Sequence, residues 1–226
     1  MNTASQYPVR GFEKNRIEAL VDGIFAVALT LLVLDIKLPD NVPSASNEAL
    51  WQRLIELERH FAIYVISFVV IAIYWIAHHI QFHYVRYTDR RMIWINMFFL
   101  LLITFVPFVT DLVGDHPELV LPVEIYGATL FALSLLSFAN LMYLARHRHL
   151  ATADLTPLAV RLLRKRIAFF ALVPAASMLI AMIDTRLALY AYFMLTTVHF
   201  LPSTIDEHIR VHRGGTIEPS SEGAHQ

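Results

Sequence analysis

From Gly23 to Leu34 the chain carries no charged residue, and charge fences the run on both sides. Arg16, Glu18 and Asp22 precede it, Asp35 and Lys37 follow it, and Pro39 stops a helix there. At 1.5 Å per residue the whole stretch Arg16–Pro39 crosses a hydrocarbon core of about 30 Å. A helix apolar on all sides is buried either in a large core or in lipid. Asp22 is the exception, about a turn and a half inside the helix, with no basic residue three or four positions away. A carboxylate at that depth is either solvated near the interface or supported by a neighbouring helix.

The rest of the chain repeats this pattern. Of its 226 residues, 57% are hydrophobic and 16% charged, against about 25% charged in soluble domains. The apolar residues fall in blocks rather than amphipathic periods, which predicts an all-α polytopic membrane protein. The absence of cysteine excludes disulfides, thiol catalysis and thiolate metal sites. Residues 1–15 are polar and lack a signal-type apolar core, so the first helix is expected to remain in the mature protein.

Six spans are expected. Asn15 and Glu18 resemble a capping pair opening the first. Pro39 to Asn47 is a Pro/Ser/Asn loop, and Glu48 to His60 is charged with Leu and Trp on one helical face. This segment either extends the second span beyond the membrane or lies on its surface. The second span covers Phe61–His79; the third covers Met92–Val113 and contains Pro107; the fourth covers Val120–Ala145. Thr156-Pro157 reads as an N-cap and first helical residue, leading through Arg161–Arg166 into a fifth span at Ile167–Ile183. Asp184-Thr185-Arg186 is a turn before a sixth span from Leu187 to about Leu201. The chain thus divides into a tail (1–15), a six-helix domain (16–205) and a polar, disordered tail (206–226).

Six spans place both termini on one side. That side holds Arg10, Lys14, Arg16, Arg86, Arg90, Arg91, Arg146, Arg148, Arg161, Arg164, Lys165, Arg166, Arg210 and Arg213; the other holds only Lys37, Arg53, Arg59 and Arg186. The excess of bases predicts cytoplasmic termini in a multi-pass protein of the cell membrane. Acids outnumber bases on the outer side, as in Asp35, Asp111, Asp115 and Glu118. That fits a cation-concentrating mouth as well as ordinary tolerance of acids in outer loops.

Val27, Thr30, Leu31 and Leu34 share one face of the first helix at i, i+3, i+4 and i+7. Such a face serves packing, or lines a pore if several copies meet at an axis. His78, His79 and His83 cluster at the inner end of the second span, with His79 and His83 spaced like two metal ligands. The segment lacks the glutamate of HExxH, however, and hydrogen-bonded interfacial histidines fit better. No metal or cofactor is expected. Trp75 and Asn96 are further polar-capable groups near the same level, and an asparagine within a span seeks an interhelical partner. A TVGYG filter, a P-loop, GxSxG and an arginine-repeat voltage sensor are all absent. With only Gly23 and Gly127 inside spans, a backbone-carbonyl filter is not expected.

Several stretches together resemble the bacterial branch of the transmembrane protein 175 family, the lysosomal potassium channel family. They are Arg16 with LVDGIFAVALTLLVLDIKLP, YWIAHH at Tyr74–His79, DRR at Asp89–Arg91, WIN at Trp94–Asn96 and FVPF at Phe105–Phe108. The family's first helix carries R-x-x-x-F-S-D; Arg16 and Asp22 match, while Leu20 and Val21 replace the Phe and Ser. The resemblance implies homotetramers of six-helix subunits, permeable to potassium and less so to other monovalent cations. It implies a pore lined by helix 1 and constricted at Val27, Thr30, Leu31 and Leu34, where the family often has a larger Ile or Leu at the first position. It also implies a supporting polar network of Arg16, Asp22, His78 and Asn96. Membrane lipid and potassium are then the partners, with no nucleic acid.

Two other readings compete with a channel. A proton-coupled secondary cation transporter would use Asp22 and a histidine, but transporter sites favour broken helices, and helix 1 has no Pro or Gly between Ala26 and Leu34. An intramembrane enzyme built on His78, His79 and His83 lacks the accompanying carboxylate.

Overall fold

The first apolar run forms helix α1 (Lys14–Leu31), prolonged by a 3-10 turn over Leu32–Asp35. The structure is a computed structural model describing residues 14–36 and 46–199. The N-terminal tail to residue 13, most of the Pro/Ser/Asn loop and the polar tail 206–226 lie outside the described residues. Asn15 falls within α1 rather than capping it, because the helix already includes Lys14, whose ammonium pairs with Glu18 one turn on at 3.3 Å.

The charged segment after the loop makes its own short helix, α2 (Asn47–Glu56). Ser46 caps it by accepting from the Ala49 amide at 3.2 Å. Leu57 alone separates it from α3 (Glu58–His83), which overruns the expected second span at both ends. Asp89 caps α4 (Arg90–Asp115) through the Met92 amide at 2.9 Å, and Pro107 lies inside that helix. Helix α5 (Val120–Arg146) follows. Thr156 caps α6 (Pro157–Ala181) through the Ala159 amide at 3.1 Å, with Pro157 in the first turn as the sequence predicts. Asp184 receives the Arg186 and Leu187 amides at 2.7 and 3.2 Å and opens α7 (Thr185–His199).

Among the described residues the protein is all-helical, and four helices are long and apolar enough to cross a membrane: α1 with its 3-10 turn, α3, α4 and α5. Helix α6 spends its first turns on Arg161, Arg164, Lys165 and Arg166, and α7 is described for 15 residues only. Helices α1, α3 and α4 pack against one another, α5 lies between α4 and α6, and α7 closes on α6, α3 and α5. One core runs through all of them, from Phe25 and Ile71 through Ile103 and Leu133 to Leu163 and Tyr192.

At the end of the bundle where α3 finishes and α4 begins, the chain is clasped to the α5–α6 segment. Leu150 O accepts the Arg86 and Tyr87 amides at 2.7 and 3.2 Å, and Thr152 N–H donates to Tyr84 O at 2.9 Å. Arg148 donates to Leu155 O. Burial raises the Tyr84 phenol above its usual range, helped by the nearby Asp154 carboxylate. Burial also pushes the Asp89 carboxyl upward, but hydrogen bonds from Tyr143 and the Met92 amide outweigh it and hold the group below its usual range.

Candidate functional site

Helix α1 presents two unlike faces. Ile17, Val21, Phe25 and Ala28 are buried, and Leu32 continues their row. They follow the helical period and seat α1 against α3 and α4. Phe25 meets Phe99 of α4 at 6.1 Å between ring centres. On the other side Val27, Leu31 and Leu34 are 55%, 40% and 61% exposed. Ala19, Gly23, Ala26 and Thr30 lie exposed on the same side, and a Cβ placed on Gly23 would meet nothing within 4 Å. From Ala19 to Leu34 this face is uncharged, made of Ala, Gly, Thr, Val and Leu side chains, and Arg16 lies exposed one turn before it. The Thr30 hydroxyl donates to Val27 O at 2.8 Å. Its proton is thereby engaged while its oxygen keeps acceptor lone pairs.

The polar groups near the start of α1 are held from behind. Trp75 of α3 donates its indole N–H to Asp22 Oδ1 at 2.8 Å. One turn deeper in sequence, His78 is buried, with Nε2 2.9 Å from Asn96 Oδ1 of α4. Asn96 Nδ2 donates to Met92 O at 2.8 Å. That bond fixes the amide with its oxygen toward His78, so Nε2 of the histidine must carry the proton. The imidazole stacks on Phe82 and Phe99 at 4.3 and 5.3 Å. A cleft of about 10 Å³ lined by Glu18, Asp22, Trp75 and His78 joins these groups on one side of α1.

Asp22, His78 and Asn96 thus gather around the α1–α3–α4 contact. Arg16 stands apart, exposed and without an ion pair among the described residues. His79 is exposed and stacks on Trp75 at 5.8 Å, and His83 meets Tyr84 edge-on at 5.5 Å. Among the described residues no three His, Cys, Asp or Glu side chains are placed to hold a metal.

Sequence reasoning missed a second polar seam, between α3 and α5. Ser67 meets Tyr126 at 3.1 Å, Tyr74 meets Ser134 at 2.8 Å and Leu130 O at 2.7 Å, and Gln81 receives Asn140 Nδ2 at 2.9 Å. The signal was the spacing of Ser67, Tyr74 and Gln81 by sevens, one polar group every two turns on one face of α3. It lies away from the exposed face of α1 and joins helices rather than lining that surface.

Comparison with known proteins finds similar chains and a similar fold. The family model described as "Endosomal/lysosomal potassium channel TMEM175" matches residues 16–107, from α1 to Pro107 of α4. A protein of Streptomyces collinus named a potassium channel is 33% identical over 188 residues, covering 81% of this chain and 89% of the relative. Another from Chamaesiphon minutus, also named a potassium channel, is 36% identical over 145 residues, covering 63% of this chain and 68% of the relative. The crystal structure of a lysosomal potassium-selective channel TMEM175 homolog from Chamaesiphon minutus superposes with a TM-score of 0.70 at 28% identity. It covers 82% of this chain and 95% of that one.

The helical bundle with its several apolar spans defines an all-helical, multi-pass membrane protein of channel fold. The extent of the matches, above all the relative covered over 89% of its length, places the chain in the TMEM175 family.

Proposed function

We propose that this chain is the subunit of a potassium-permeable cation channel whose path is lined by α1 and narrowed by apolar side chains in place of a carbonyl filter. Four copies assemble about an axis, each contributing six spans, with both termini cytoplasmic. Helices α6 and α7 complete the six, the basic first turns of α6 lying at the cytoplasmic side. The observation that carries the reading is the exposed face of α1. A helix apolar enough to span the membrane leaves Val27, Leu31 and Leu34 uncovered by its own subunit. Around a symmetry axis these become rings at successive turns.

Apolar rings give a cation nothing to replace its water, so a narrow ring is a dewetted barrier. Potassium holds its water less tightly than sodium and crosses with the smaller penalty. Thr30 supplies an oxygen on this face. Val27, shorter than isoleucine or leucine, leaves a wider ring, and Leu31 or Leu34 then forms the narrowest point. Asp22 and Arg16 stand before the rings and serve assembly and gating more than ion choice. His78 and Asn96 hold α3 to α4 behind α1. The unbroken course of α1 from Lys14 to Leu31 favours a channel over a proton-coupled transporter, whose sites use interrupted helices. No catalytic step is assigned.

The test is flux through pure protein in potassium-loaded vesicles under an imposed voltage. Passive, voltage-driven potassium movement without a co-transported ion supports the channel. Flux only when a proton gradient is supplied would establish the transporter instead.

A further inference from the structure

At the opposite end of the bundle from the α1 polar groups, α3, the α4–α5 turn and α7 enclose a groove of about 550 Å³. Its mouth carries Arg59 in the first turn of α3, Arg186 in the first turn of α7, and Glu118 from the turn between α4 and α5. Its wall carries Ile63 and Ile66 one and two turns along α3, and Leu189 along α7. From Arg59 to Ile66 the helix advances about 10 Å. The groove therefore has a charged rim at the helix ends and an apolar shaft running toward the bundle's middle.

The rim charges are unusual in two respects. Of the four bases assigned to this end, Lys37 lies outside the described residues and Arg53 is paired with Glu56 at 2.7 Å. Arg59 and Arg186, by contrast, make no ion pair among the described residues. The two arginines without an ion pair thus line one groove, with Glu118 beside them on the rim and an apolar wall of Ile63, Ile66 and Leu189. A cavity of this size and lining is within the range of small-molecule sites, and guanidinium groups match phosphate oxygens bidentately.

We propose that this groove binds an anionic phospholipid, its phosphate held between Arg59 and Arg186 and an acyl chain laid along Ile63, Ile66 and Leu189. On the topology proposed above this rim lies at the outer leaflet, and the two guanidinium groups recognise the headgroup by charge and by bidentate geometry toward its phosphate oxygens. Glu118 on the same rim opposes the negative charge and sets how strongly anionic lipid is preferred. The inference requires membrane embedding only, and holds whether or not α1 conducts ions.

The experiment uses the full-length protein in lipid nanodiscs of phosphatidylcholine with increasing phosphatidylglycerol, and measures by mass spectrometry the lipid retained per chain after detergent extraction. The parent retains phosphatidylglycerol over phosphatidylcholine. Arg59→Gln with Arg186→Gln lowers phosphatidylglycerol retention roughly thirtyfold in affinity and leaves phosphatidylcholine unchanged. Each single substitution lowers it roughly fivefold, which serves if the double variant does not fold. Glu118→Gln raises it. The proposal is overturned if the arginine variants retain phosphatidylglycerol like the parent, or if both lipids are lost equally. It is also overturned if those variants change the oligomeric state with no change in bound lipid, since a second copy would then cover the groove.

Discussion

Replacing Asn96 by leucine tests the seat of α1 from within. In the folded protein Asn96 Oδ1 accepts from His78 Nε2, and both residues are buried. Asn96→Leu leaves the imidazole N–H facing an apolar side chain, with Phe82 and Phe99 stacked on its ring. A stranded buried donor costs about 1–3 kcal/mol in soluble proteins. Interhelical hydrogen bonds within membranes couple by about 0.6 kcal/mol on average and about 1.7 at most. The depth of this pair argues for the upper end, so about 1.5 kcal/mol is expected. For a chain of this length that lowers the melting temperature by about 3–6 °C. The assay is thermal unfolding in detergent for Asn96→Leu, His78→Phe and the double variant. His78→Phe keeps a ring between the two phenylalanines but strands the Asn96 carbonyl. The double variant strands neither, so it is expected to be more stable than the two single losses added together. Strict additivity would mean that the pair contributes no coupling and that the reasoning about α3 and α4 is wrong.

Asp22→Ala is expected to lower the yield of assembled oligomer on size exclusion, and Trp75→Phe, which removes the indole donor to Asp22, to reproduce part of that loss; normal assembly with inverted ion preference would contradict the roles given to this pair. Asp89→Ala removes a helix cap and is expected to cost about 1 kcal/mol in thermal unfolding. Because the folded Asp89 titrates below its unfolded value, its contribution is complete above about pH 4 and fades as pH falls through the folded value. Asp89→Asn should flatten that acid limb. A reporter fused after Gln226 should be active only in the cytoplasm, and activity outside would reverse the topology.

The spans α3, α4 and α5 were legible in the sequence because each is a long apolar block bounded by charge, Pro or Gly. The cap at Thr156-Pro157 was legible because capping is a local exchange between a side chain and an amide three residues on; Asp184 was read only as part of a turn, and its capping of α7 emerged from the structure. The face Val27, Thr30, Leu31 and Leu34 could be drawn from periodicity, but periodicity cannot say which face of an all-apolar helix is covered. That depends on Phe25 reaching Phe99, a contact between residues far apart in the chain. The break at Leu57 was hidden because it falls inside the single charged segment Glu48–His60, with no Pro or Gly to mark it. The pairing of Asp22 with Trp75, rather than with Arg16, likewise depends on how α1 lies on α3, which no spacing within α1 encodes. The clasp of Tyr84–Tyr87 on Leu150–Thr152 is made by backbone groups and leaves no mark in side-chain pattern.

The central claim is that α1 lines the ion path, and the most direct test is potassium and sodium flux into vesicles at matched protein content for three variants. Val27→Asn and Leu31→Asn replace an apolar ring with amides that can hydrate a cation. They are expected to raise flux several-fold, about 1 kcal/mol off the barrier, and to weaken the preference for potassium. Val27→Leu narrows the ring and should reduce flux. Three variants that conduct like the parent would show that α1 does not line the path.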